Sequence, residues 1–471
     1  MINIHVRRLK VQIFACFLKN RLILYLSVLV ALKIHANMPT ASLTKTTQLT
    51  NKLFKACLYL VALTIPMYYR INAMAVVLLA ISWILTDDFK ATLTQLKKRP
   101  LLIGWIIWYG LHAISYFYSD DKTIAGADLE SKLSILLLPL IIGTQSKDNE
   151  AQLKGVFTSF LLGLITICFL SISSSFLAYQ EDHQVSHFFY HNLVHFADAN
   201  AVYMSWYVLT GIAILLLAPS SFFFTKNKSI QITTIVILEL FLLMLSARMV
   251  LLCQFAIVLP ILIYQSTKKD FKKGLINSGF AIILMAIYGI IFLTNNPIKE
   301  RFKEMTPSQT KNWVSKEDPS KQQFNNFTLR IFIWKTSMES IQQEHLYWYG
   351  SGIGDVAAIQ QKTIEKHNFE LNEGNRAKKI WEFNMHNMYI QELFMLGVIG
   401  LLTFLFILCR PLFLQFPTPY KWLFWSFQLT SIAVFFIESA LQTQAGIIFF
   451  SFFSMLFLQH YYSSKETNQT V

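Results

Sequence analysis

A histidine and two arginines in the second half of the chain have settings in which a general base and anion contacts could stand. His386-Asn387 stands at the step from a long polar stretch into the apolar run that starts at Met388. A neutral imidazole at a water–lipid boundary can act as a general base near pH 7; otherwise a histidine there is an interface anchor. Arg330 and Trp334 share one face of Thr328–Glu344, which reads as an amphipathic helix carrying Ile331, Trp334, Met338 and Ile341 on one side. Arginine presents a planar fork of donors to a diphosphate, and tryptophan can stack on a sugar or an isoprenoid. The alternative is a solvated arginine beside a packing tryptophan. Ser246-Ala247-Arg248 falls between two apolar runs with almost no loop. A guanidinium there costs energy unless it is paired or wetted, so it either snorkels at a span end or contacts an anion.

Three further patterns compete for a role. His183, His187, His191 and His195 recur at every fourth position between Asp182 and Asp198, one slowly drifting stripe if the segment is a helix. Histidines at i and i+4 can hold zinc, but no glutamate follows the first histidine as in H-E-x-x-H. Zinc, a substrate contact and a wet interfacial helix stay open. Glu239 and Glu438 fall within apolar spans, where a carboxylate is either functional or the partner of Arg248 or a polar helix neighbour. Gly350-Ser-Gly-Ile-Gly-Asp355 ends the preceding helix and follows no strand, so it reads as a turn rather than a nucleotide cradle.

The elements that carry these residues are membrane spans. Apolar residues make up 54% of the 471-residue chain and charged ones 14%, against about 25% charge in a soluble domain. Runs suited to crossing a bilayer lie near 53–69, 71–86, 101–118, 133–143, 155–177, 200–218, 230–247, 249–264, 275–294, 387–409, 422–440 and 446–460. Lysine and arginine gather in every second loop: Lys90, Lys97, Lys98 and Arg99; Lys147 and Lys154; Lys226 and Lys228; Lys268, Lys269, Lys272 and Lys273; Arg410 and Lys421. By the positive-inside rule those loops and both termini are cytoplasmic. The net charge of +14 is thereby explained without nucleic acid. The fold expected is an all-α integral membrane protein with about 12 transmembrane helices and one large, mainly helical loop on the outer face. The chain divides into a basic extension at 1–50, with Met38 as an alternative start, transmembrane helices 1–9 over 51–294, the loop at 295–386, helices 10–12 over 387–460, and a tail at 461–471. Cys57, Cys168, Cys253 and Cys409 lie in or beside spans and Cys16 in the extension, so neither a disulfide nor a cysteine-bound metal is expected.

Taken in order, Ser-Ala-Arg248 between two spans, Arg330-x-x-x-Trp334 opening a large loop, Gly350–Asp355, and His386-Asn387 leading into a helix with Gly397 and Gly400 give the chain from about residue 50 a likeness. It resembles the O-antigen ligase and O-antigen polymerase superfamily. The resemblance implies an inverting, metal-independent glycosyltransferase of the bacterial inner membrane, without a cofactor, whose active site faces the periplasm. The donor implied is a glycan on undecaprenyl diphosphate. The acceptor is a hydroxyl of the lipid A core, or of another glycan if the enzyme is a polymerase; a protein acceptor is a third form. His386 would be the base. Arg248 and Arg330 would hold the diphosphate, with Trp334, Asn387, Gly352 and Gly354 at the substrate. The histidine stripe and the leader before Met38 match nothing in that pattern. A secondary transporter or lipid flippase is the competing class. Transporters, however, show repeat symmetry and midplane sites, whereas the polar residues here gather at the outer face, apart from Glu239.

Overall fold

A computed structural model describes residues 40–86, 89–145, 150–218, 227–294, 296, 298–299, 326–366 and 383–469. The leader before residue 40 and the loop stretches 300–325 and 367–382 fall outside the described residues. All regular elements among the described residues are helices. They are α1 Thr40–Thr64, α2 Tyr69–Thr86, α3 Phe89–Lys98, α4 Pro100–Tyr118, α5 Lys122–Leu138, α6 Glu150–Asp182, α7 Ala201–Leu217, α8 Lys228–Leu245, α9 Arg248–Lys269, α10 Phe271–Leu293, α11 Asn326–Gln343, α12 Val356–Lys366, α13 Met388–Cys409, α14 Thr418–Ile437 and α15 Gln444–Gln469. π-turns extend α5 through Pro139–Gly143 and interrupt α9 at Gln254–Val258. Among the described residues, eight helices are long and apolar enough to cross a bilayer, and α7 is a shorter apolar one. The molecule is an all-α integral membrane protein.

One end of the bundle is tied by Arg99, which is wholly buried. Its guanidinium donates to the carbonyls of Gly143 at 2.6 Å and Gln145 at 3.0 Å and pairs with Glu466 at 3.1 Å. A guanidinium can be buried only when its donors are met in this way. The opposite end collects the chain reversals at 65–68, 119–121, 183–200, 246–247 and 438–443, together with α11 and α12. Helix α7 runs through the centre with nearly every side chain buried, as expected of a helix that is apolar all round. Trp206 in α7 packs against Phe427, Phe435, Phe449 and Phe450 from α14 and α15.

Three segments depart from expectation. The histidine segment is not one helix. It breaks into short turns at Val185–Phe188, Tyr190–Leu193 and His195–Ala197, with left-handed backbone at His183, Tyr190 and Asp198. The four histidines therefore form no stripe. The buried face of α11 is also different: Phe332, Ile333, Thr336, Ser337, Ser340 and Ile341 face inward, while Met338 is exposed. Hydroxyls can be buried here because each donates to a carbonyl one turn back, Ser337 to Ile333 at 2.6 Å and Ser340 to Thr336 at 2.8 Å.

The third departure shapes the site. Helix α13 is broken at Gly397, where φ is 65° and ψ −162°. The rings of Tyr389 and Phe404 lie 5.8 Å apart, whereas on a straight helix these positions would be about 22 Å apart. The halves 388–396 and 398–409 thus fold back on each other. A Cβ at Gly397 would collide with the backbone of Trp348 and Tyr349. The segment 347–352 crosses the break and pairs with it, through Val398 N–H to Tyr347 O at 2.7 Å, Ser351 N–H to Phe394 O at 2.8 Å and Gly352 N–H to Met395 O at 3.0 Å. These bonds satisfy backbone groups that the break would otherwise leave orphaned inside the protein.

Candidate active site

A cavity of about 710 Å³ opens between the bundle and the α11–α12 layer. Its wall draws on Asp128 and Ser131 of α5, Asn200 and Tyr203 at the start of α7, Gly354 of the glycine turn, His386, Gln391 of α13, and Glu438 and Gln442 in the link from α14 to α15. His386 and Gly354 are the proposed site residues that lie in this wall. His386 is the one with a side chain able to take a proton. Its backbone is left-handed, with φ 46°, a conformation that costs of order 1–3 kcal/mol outside glycine and persists only where the surroundings impose it.

Those surroundings can be named. Met385 N–H donates to Gln391 Oε1 at 3.1 Å, and Met385 O accepts from the Trp334 indole at 2.8 Å. His386 N–H donates to Asn384 Oδ1 at 3.0 Å, and Asn387 N–H to Ser439 Oγ at 3.0 Å. Asn387 caps α13 by accepting from Tyr389 N–H and Ile390 N–H. Trp334 and Asn387 thus serve the histidine's placement, and neither lines the cavity.

The side chain of His386 is held by Glu438. Nδ1 lies 3.2 Å from Oε1 and 3.3 Å from Oε2. Glu438 also accepts from Arg330 Nη2 at 3.1 Å, and its carboxylate is 2% exposed. A carboxylate so buried is tolerable because it has two ionic or hydrogen-bonding partners. An Nδ1–H donated to Glu438 leaves Nε2 as the basic nitrogen on the other side of the ring. Carboxylate, imidazole and cavity thereby stand in the order that a positioned general base requires.

The remaining predicted residues are less central. Arg248 is half-buried at the start of α9, at the same end of the bundle, and is not part of the cavity wall. Helix α9 packs on α14, whose end carries Glu438. Gly352, with φ 85°, fits against Ser119, and Gly354 N–H donates to Ser119 Oγ at 3.2 Å. Asp355 accepts from the N–H groups of Asp120 at 2.7 Å and Asp121 at 2.9 Å. The glycine segment is therefore a turn that clamps the α11–α12 layer to the reversal between α4 and α5. Glu239 is paired with Gln254 at 2.6 Å inside the bundle, away from the cavity wall. His187 pairs with Asp182 at 2.8 Å. Among the described residues no group of three histidine, cysteine or acidic side chains could hold a metal ion.

Residues 232–405 match the family model described as O-antigen ligase. The matched region includes Arg248, Arg330 and His386 and supports the likeness to the O-antigen ligase and polymerase superfamily. No curated protein matches the chain at a significant level. Asp128 and Gln442 of the cavity wall escaped the sequence reading. The visible signal was Asp128 and Lys132 one helical turn apart at the head of an apolar run, the spacing of an ion pair.

Proposed function

We propose that the protein is an inverting, metal-independent glycosyltransferase that moves a glycan from undecaprenyl diphosphate to an acceptor hydroxyl, a sugar of the lipid A core. The observation that carries this reading is His386, set in the cavity wall and held through Nδ1 by the buried Glu438, within the segment that matches O-antigen ligase. The acceptor oxygen attacks the anomeric carbon as Nε2 of His386 takes its proton. The bond from that carbon to the diphosphate breaks on the opposite face, and its electron pair leaves on the diphosphate. Arg330, beside Glu438 at the same end of the bundle, is the proposed partner of the growing diphosphate charge; Glu438 takes one of the five N–H donors that a guanidinium offers. Arg248, at that end too, is the second proposed partner.

The location follows the charge pattern. Lysines cluster at the bundle end opposite the cavity, at 97–98 and 268–273 among others, which makes that end cytoplasmic and the cavity periplasmic, with both termini inside. Reconstitution tests the function. The purified protein in liposomes, given the cell's own lipid-linked glycan and its core glycolipid, should produce a covalent conjugate with released undecaprenyl diphosphate. Movement of the donor across the bilayer with no conjugate formed would replace this reading with a flippase.

A further inference from the structure

The cavity wall carries a second polar group besides His386 and Glu438. Lys132 of α5 is completely buried, and its ammonium pairs with Asp128 at 2.5 Å and with Gln442 Oε1 at 3.3 Å. Burying an ammonium in a bundle demands such a partner. One partner would serve for neutralisation, yet Asp128 also forms part of the cavity wall, with Ser131 one turn-edge beside it. Its second oxygen, Oδ2, is buried and has no hydrogen-bond partner among the described residues. A carboxylate ion-paired with a lysine retains acceptor capacity on such an oxygen, and acceptors of this kind hold hydroxyl groups through strong, charge-assisted bonds.

The α14–α15 link carries both anchors: Glu438 at its start holds His386, and Gln442, the last residue of the short turn Ala440–Gln442, holds Lys132. His386 and Asp128 thus border one cavity. Around Asp128 the cavity wall carries no arginine or lysine among the described residues, so that part of it suits hydroxyls better than phosphates.

We infer that Asp128, oriented by Lys132 and Gln442, is a specificity-determining contact for the hydroxyls of the sugar ring next to the reacting carbon. The inference rests on the transferase reading above. The ring belongs either to the donor glycan or to the acceptor, and kinetics separate the two. Steady-state transfer is measured with the cell's own lipid-linked glycan and core glycolipid, varying each in turn. Asp128→Asn with Lys132→Gln removes both charges together, so no buried ion is stranded. Its KM for one substrate should rise about ten- to a hundredfold, the loss expected for a charge-assisted hydrogen bond, with kcat changed much less. The donor arm or the acceptor arm that rises names the sugar. Asp128→Glu keeps the pair with Lys132 and pushes the carboxylate one methylene into the cavity, so it should raise the same KM. Wild-type KM values for both substrates in both variants would reduce Asp128 to the structural partner of Lys132 and overturn the inference. Absence of transfer by the wild-type protein would instead overturn the reading on which it rests.

Discussion

At the scale of single residues, the site is a chain of three side chains, Arg330, Glu438 and His386, drawn from parts of the sequence far apart. Glu438→Gln keeps the shape of the side chain but neither fixes the histidine tautomer nor stabilises the imidazolium. We predict a fall in kcat of about a hundredfold or more with little change in donor KM, measured in the transfer assay. Arg330→Ala and Arg248→Ala should each abolish most transfer while the protein still inserts in the membrane. Lysine at either position should rescue poorly, because a point charge lacks the fork; near-full activity of both lysine variants would mean that a generic positive charge suffices. Much of this was legible in the sequence. His386 stands out at an apolar boundary, Arg330 on one face of an amphipathic helix, and Glu438 as a carboxylate within an apolar span. Their partnership did not, because a carboxylate in a span carries no mark of its partner: Glu438 meets Arg330 and His386 in the structure, and these contacts are made in three dimensions only. Trp334 read as a stacking platform because its indole face is the obvious feature, yet its N–H holds the Met385 carbonyl.

At the scale of elements, hydropathy located each apolar helix, and the run 387–409 read as one span. The fold-back at Gly397 was hidden because the sequence is equally apolar on both sides of it. A lone glycine in an apolar helix is common enough to carry no warning. The break is what brings the start of α13, with His386 and its cap Asn387, into the bundle wall rather than leaving it at the outer end of a straight helix. Gly397→Ala is therefore expected to be severe. Alanine at φ 65° costs about 1–3 kcal/mol in backbone strain, and its methyl group adds the collision with Trp348 and Tyr349. The melting temperature in detergent should fall and transfer should be lost, whereas Gly279→Ala in α10, where a Cβ meets nothing within 4 Å, should be silent. Equal stability of the two variants would refute the fold-back. The histidine segment fails for the opposite reason: its regular fourfold spacing suggests a helix, but the backbone takes left-handed turns at His183, Tyr190 and Asp198, which break the period.

At the scale of the whole molecule, the bundle has a basic end tied by Arg99 and a polar end that holds the cavity. Cysteine labelling in intact cells should reach residues 345–349 from outside and should miss 97–98 and 268–273; labelling of the lysine-rich loops from outside would invert the proposed orientation. If arginines rather than a divalent cation meet the diphosphate charge, as proposed, transfer should survive strong chelation; loss of activity with EDTA, restored by zinc or magnesium, would contradict this. The central claim is that His386 takes the acceptor proton, and one measurement reaches it directly. His386→Gln keeps a hydrogen-bonding side chain in the cavity wall but cannot accept a proton at neutral pH. With lipid-linked glycan as donor and core glycolipid as acceptor, its turnover should fall by about a hundred- to ten-thousandfold while donor binding persists. Turnover close to that of the wild type would contradict the account and leave His386 as a residue that only orients the acceptor.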